Sequence, residues 1–160
     1  MNEQAIRLDR MRFTKNTTSS RLALLAIVFD VLYFVSVYKT NMSFYYAIIM
    51  GASILYNLIF MLAAFLSSEG VKNYKQSYSY LLFALGVIQI VRIFILPAQA
   101  HSTVETVEGV EMLAMSDGQF VRVTIYLVAS AVCLFAAGFV NLTKSRALAA
   151  HIAGLEGQKA

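Results

Sequence analysis

The run Leu22–Tyr38, LALLAIVFDVLYFVSVY, constrains this chain more than any other stretch. Fenced by Arg21 and Lys39, it is apolar apart from Ser36, two tyrosine hydroxyls and an aspartate, Asp30, at its centre. A segment of this length and hydropathy crosses the hydrocarbon core of a bilayer, about 30 Å thick, as a helix. With no water to pair with, its backbone N–H and C=O groups must satisfy one another. The solvent is therefore lipid. A charge at mid-bilayer costs at least about 2.5–3.5 kcal/mol on insertion scales, so Asp30 needs a partner or water.

Composition agrees. Hydrophobic residues are 59% of the 160 and charged residues 14%, against roughly 25% charged in a soluble globular chain. Three further apolar runs follow: Phe44–Leu66, Tyr80–Leu96 and Val123–Leu142. The expected fold is an all-α integral membrane protein, a four-transmembrane-helix bundle over residues 22–142 with spans 22–38, 44–66, 80–96 and 123–142. Residues 39–43 form a tight connection that sends the second helix back antiparallel. Residues 67–79 form a polar loop, and Pro97 closes the third span.

Flanking this domain are a basic leader, 1–21, and a tail, 143–160. In the leader Ile6, Arg10 and Phe13 fall at helical spacing, so it is either a short interfacial helix or a solvated basic segment. It is read as retained, because an aspartate interrupts the span that follows and no small-x-small cleavage site succeeds Tyr38. In the tail Leu148, Ile152 and Leu155 recur as the apolar face of an amphipathic helix of about three turns, suited to docking on a partner or on the bilayer surface. Between the third and fourth spans the segment TVETVEGVEML predicts a small extracellular β-hairpin turning at Glu108-Gly109, with a disordered loop as the alternative.

Basic residues set the expected orientation. The leader carries five, the 67–79 loop two and the tail three; the opposite connections have none beyond Lys39, with Arg122 just inside the fourth span, and residues 98–119 hold Glu105, Glu108, Glu111 and Asp117. By the positive-inside rule both termini are cytoplasmic and the acidic loop is outside. The expected location is the bacterial cytoplasmic (plasma) membrane. This pattern also accounts for the net charge of +4, so nucleic acid is not an expected partner.

Catalytic chemistry finds little material. The single Cys133 permits no disulfide framework or Cys-rich metal site. His101 and His151 fall on opposite sides of the membrane, and no phosphate-binding glycine loop or Ser-His-Asp arrangement occurs. The chain is expected to be neither an enzyme nor a cofactor or metal protein.

The polar residues inside the spans carry the site expectation. Counted from Arg21, Asp30 lies about 13 Å deep at 1.5 Å per residue, and Asn57, counted back from Leu66, lies level with it. Arg92 lies about 18 Å from the same side, and its long stem covers the difference of about 5 Å. Asp30, Asn57, Gln89 and Arg92 are thus expected to form one intramembrane cluster. Three uses stand open: an Asp30–Arg92 ion pair fixing helix order, pairing with another subunit, or an ion-coupled site. Ala129, Cys133, Ala137 and Gly138 give the fourth span a small-residue packing face, and Ala47 and Gly51 give the second a shorter one.

Two function classes lead. The first is a small non-catalytic accessory or structural subunit of a larger membrane complex, such as an importer built from transporter permeases and an ATPase. The second is an oligomeric small-molecule or ion-coupled transporter using Asp30. Small multidrug transporters resemble this chain in their four short helices and in a membrane-embedded acid in the first. The long acidic loop, the arginine in the third span, the lack of tryptophan and the choice of Asp set it apart. A membrane enzyme, such as a quinone oxidoreductase or lipid hydrolase, has the least support.

Overall fold

A computed structural model of the chain describes residues 15–37, 44–107 and 110–157. Its elements are α1 (Thr17–Val37), α2 (Phe44–Lys72), α3 (Ser77–Ile95), α4 (Pro97–Ser102), β1 (Val104–Val107), β2 (Val110–Leu113) and α5 (Asp117–Gly157). Four helices, α1, α2, α3 and α5, are long and apolar enough to cross a membrane. The interfacial-helix reading of Ile6, Arg10 and Phe13, the 39–43 connection and the Glu108-Gly109 turn lie outside the described residues.

The helices are longer than hydropathy alone suggests, because serine and asparagine hydroxyls and amides at their ends are satisfied inside the bundle. α1 begins at Thr17, in what reads as leader, with Asn16 as its cap: Asn16 Oδ1 accepts from the Ser19 backbone N–H at 3.4 Å. α2 runs on through 67–72, so the polar loop shrinks to residues 73–76. Ser67 Oγ donates to the Ala63 carbonyl at 2.6 Å, and Ser68 Oγ donates to the Ser20 carbonyl at 3.2 Å. α2 then stops in a Schellman turn, with Lys75 N–H donating to Gly70 O and Tyr74 N–H to Val71 O. Tyr74 occupies the left-handed position at φ 58°, where glycine is usual. The fourth span and the tail are not separate elements: α5 is one helix of 41 residues.

The buried positions repeat every three and four residues. On α1 they include Ser19, Ala23, Ala26, Asp30, Tyr33 and Val37; on α2, Asn57, Phe60, Ala64, Ser67 and Val71; on α5, Val123, Leu127, Ser130, Leu134, Ala137, Asn141 and Ser145. A 3.5-residue seam is the coiled-coil repeat, which winds straight helices into a left-handed bundle. The helices form a ring in which α1 packs on α2 and α5, and α3 packs on α5 and α2. The α2–α3 contact is the thinnest of the four. Outward faces carry exposed Leu, Ile, Val and Phe, which meet lipid. Lipid tails are as apolar as leucine, so this bundle is held by close packing and internal hydrogen bonds more than by hydrophobic burial.

Packing closeness is clearest between α3 and α5. A Cβ on Gly86 would sit 2.9 Å from the Phe135 ring, and one on Gly138 would sit 2.8 Å from the Phe83 ring. Each helix thus receives the other's phenylalanine over a glycine, and the two rings stack at 6.3 Å. Along the bundle two apolar clusters alternate with polar layers. One is built around Ala23, Ala26, Phe60, Leu82 and Leu134. The other, around Tyr33, Val37, Ile93, Leu96, Met115 and Leu127, closes the end nearest α4. There Pro97 opens α4, a position where its missing N–H costs nothing. β1 and β2 pair antiparallel, with Val104 opposite Leu113 and Val107 opposite Val110. They are strapped to α4 by Ala114 N–H to Thr103 O and Met115 N–H to Ala100 O.

Candidate functional site

Between the two apolar clusters lies a layer of buried polar side chains. Asp30 is 1% exposed, Gln89 0%, Arg92 5% and Asn57 3%. Helical rise delivers them to one depth, and the seam turns each inward. Arg92 Nη1 donates to Asp30 Oδ1 at 2.7 Å and to Gln89 Oε1 at 3.2 Å. Arg92 Nη2 donates to Asn57 Oδ1. Gln89 Nε2 donates to the same Asp30 oxygen at 2.9 Å and to Ser130 Oγ at 3.2 Å. Ser130 Oγ in turn donates to the Ala26 carbonyl at 3.0 Å. All four long helices meet in this network, and the opposite charges of Asp30 and Arg92 offset each other inside a single chain.

Three further participants join the network. Ser130 is ordinary in a membrane helix. Tyr33 and Tyr56 clamp the guanidinium, whose carbon lies 4.3 Å from the Tyr33 ring centroid and 4.6 Å from that of Tyr56. An arginine over an aromatic face gains up to about 2 kcal/mol when desolvated. The clamp has one signal that sequence reasoning can use: Tyr33 and Asp30 share the α1 seam, three residues apart.

A second buried network, at the bundle end holding Lys72 and Lys75, escapes the sequence altogether. Asn16 Nδ2 donates to Asn141 Oδ1 at 3.2 Å, and Asn141 Nδ2 donates to Ser79 Oγ at 2.8 Å and to the Lys75 carbonyl at 3.1 Å. The Asn16 backbone N–H donates to Lys72 O at 2.9 Å. Ser20 and Ser68 hydroxyls pair at 2.8 Å, and Ser19 Oγ donates to the Ala137 carbonyl. These contacts tie the start of α1 to α2, α3 and α5, which makes them fold-positioning groups with no reactive atom left over.

The small-residue face of the fourth span is packed in part, with Cys133 against the core cluster and Gly138 against Phe83. Ala137 and Gly138 are buried, but Ala129 and Cys133 are only partly so. The seam of α5 runs instead through Leu127, Ser130, Leu134, Ala137 and Asn141, and α1 and α3 of the same chain cover it. Gly51 faces open space, with nothing within 4 Å of a Cβ placed there. In the tail Leu148 is half-buried and Ile152 is 47% exposed; the Leu155 side chain lies outside the described residues.

Two crevices reach the charged layer beside α2. None of the described α2 side chains before Asn57 is buried. On one flank a crevice of about 140 Å³ is lined by Asp30, Phe34, Asn57 and Met61. On the other a cleft of about 270 Å³ opens between α2 and α3, with Tyr56 and Arg92 in its wall. Comparison with known protein families, with curated proteins and with solved structures yields no match.

Proposed function

We propose that this protein is a small non-catalytic accessory subunit of a larger membrane complex, of the kind that joins transporter permeases, and that the far end of α5 is its docking arm. One observation carries the reading. α5 spans about 60 Å at 1.5 Å per residue, twice the hydrocarbon thickness, and beyond Ser145 none of its described side chains is buried. Leu148, Ile152 and Leu155 give this end an apolar face at helical spacing, which a partner surface would cover. The charged layer fits the same role, since its charges are offset within the chain and hold four helices in one order. Copurification from native membrane should recover stoichiometric partners. Ser substitutions at Leu148, Ile152 and Leu155 should release those partners while leaving the membrane domain folded. A homo-oligomer without partners, stabilised by a small solute, would instead favour the transporter reading, to which Asp30 contributes by lining the smaller crevice.

In this proposal both termini face the cytoplasm of a bacterial cell and the β1–β2 segment lies outside. Basic residues support it: the leader, residues 72–75 and residues 143–160 carry ten of the 13 lysines and arginines, and the 98–119 segment carries none. In a Cys133→Ser background, a cysteine at Glu108 should react with an impermeant maleimide on intact cells. A cysteine at Lys72 should react only after permeabilisation. The reverse pattern overturns the orientation.

A further inference from the structure

We propose that the cleft between α2 and α3 binds a neutral, lipid-soluble molecule through a carbonyl head group, admitted sideways from the bilayer. The cleft holds about 270 Å³, and Ala52, Ser53 and Tyr56 of α2 face Ile88, Arg92 and Ile95 of α3 across it. It opens along the α2–α3 contact, the thinnest of the ring, where Ala52 is exposed and Ser53 and Tyr56 are half-buried. Its wall is apolar except for Ser53 and the corner where Tyr56 and Arg92 bring donors together. Arg92 has five N–H groups. Two on Nη1 and one on Nη2 serve Asp30, Gln89 and Asn57. The Nε–H and the second Nη2–H take no part in those bonds. The Tyr56 hydroxyl is buried and makes no hydrogen bond. An acceptor carried by a ligand would pair the Tyr56 hydroxyl.

Charge decides which acceptor. Asp30 and Arg92 already offset each other, so a carboxylate or phosphate head would bring an uncompensated charge into a low-dielectric layer, at high cost. A carbonyl oxygen brings none and accepts from charged or phenolic donors. Size decides the rest. Pockets for whole drug-sized ligands run from about 300 to 1,000 Å³, and this cleft falls just below them. It suits a ring-sized head whose hydrocarbon body remains in the bilayer. A partner helix, about 10 Å across, does not fit.

The test uses the full chain in phosphatidylcholine nanodiscs, with radiolabelled decylbenzoquinone as the probe and empty discs as the blank. Saturable binding of one probe per chain is expected. Ala52→Phe, at an exposed position, should plug the cleft and weaken binding by at least about tenfold. Ile88→Phe should do the same from the opposite wall, so a folding defect in either variant leaves the other decisive. Leu55→Phe, outside the cleft, should bind as the parent does. Decylbenzene and decanoate should compete poorly. Absence of saturable binding, indifference to both plugs, or equal competition by the alkylbenzene or by the carboxylate would each overturn the proposal. The last two would mark a lipid groove and an anion site respectively.

Discussion

Asp30→Asn alone and Arg92→Gln alone should each destabilise the folded chain by about 3–5 kcal/mol, the usual cost of removing one member of a buried ion pair. The reason is geometric. Arg92 sits 2.7 Å from the carboxylate and 5% exposed, so losing Asp30 leaves a cation in hydrocarbon with only amides and rings around it. Losing Arg92 leaves Asp30 with the Gln89 amide. The double variant Asp30→Asn, Arg92→Gln should recover most of the loss, because Gln89, Asn57 and Ser130 remain to pair with neutral amides. The measurement is the fraction of monodisperse protein after detergent extraction, followed by its unfolding midpoint. A double variant no better than either single one would show that the two residues do not offset each other. A transport role predicts a different pattern: single variants that assemble normally and lose activity, with no recovery in the double.

The second large effect is expected at Gly70, next to the Schellman turn. A Cβ there would lie 2.2–2.5 Å from three atoms of the Tyr78 ring, well inside contact distance, and two of them are near the stem of that side chain. Gly70→Ala should therefore force Tyr78 and the α2–α3 corner apart and destabilise by about 1–3 kcal/mol, the range for overpacking. Tyr78→Ala in the same chain should restore much of it, since the ring is what the new methyl strikes. Gly51→Ala is the control: nothing stands within 4 Å of its Cβ, and helix propensity favours alanine by up to about 1 kcal/mol. If Gly70→Ala alone left the unfolding midpoint unmoved, the close approach of Tyr78 would be refuted.

The legible part of this protein was whatever depends on neighbours along the chain. Hydropathy located four helices because a bilayer demands a run of fixed length with internally paired backbone. The rise per residue placed Asp30, Asn57 and Arg92 at compatible depths before any contact was known. None of these required knowing which helix stands beside which.

Pairing between helices decided the remainder. Ser19, Ser20, Ser67 and Ser68 read as loop or leader, because a hydroxyl's cost in a membrane depends on whether a partner stands opposite. The bundle supplies partners, and the helices lengthen accordingly. Ala129 and Cys133 were assigned to a packing face by spacing alone. The 3.5-residue seam, fixed by two neighbours at once, instead chose Ser130 and Leu134. Tyr56 became a clamp on Arg92 because α2 and α3 stand side by side there, and the same two residues line the cleft between them. The sequence by itself determined the lipid solvent, the helices and the depth of the charges. Tertiary structure alone decided which faces meet, because side-chain pairing across a bundle is a property of two or more helices together.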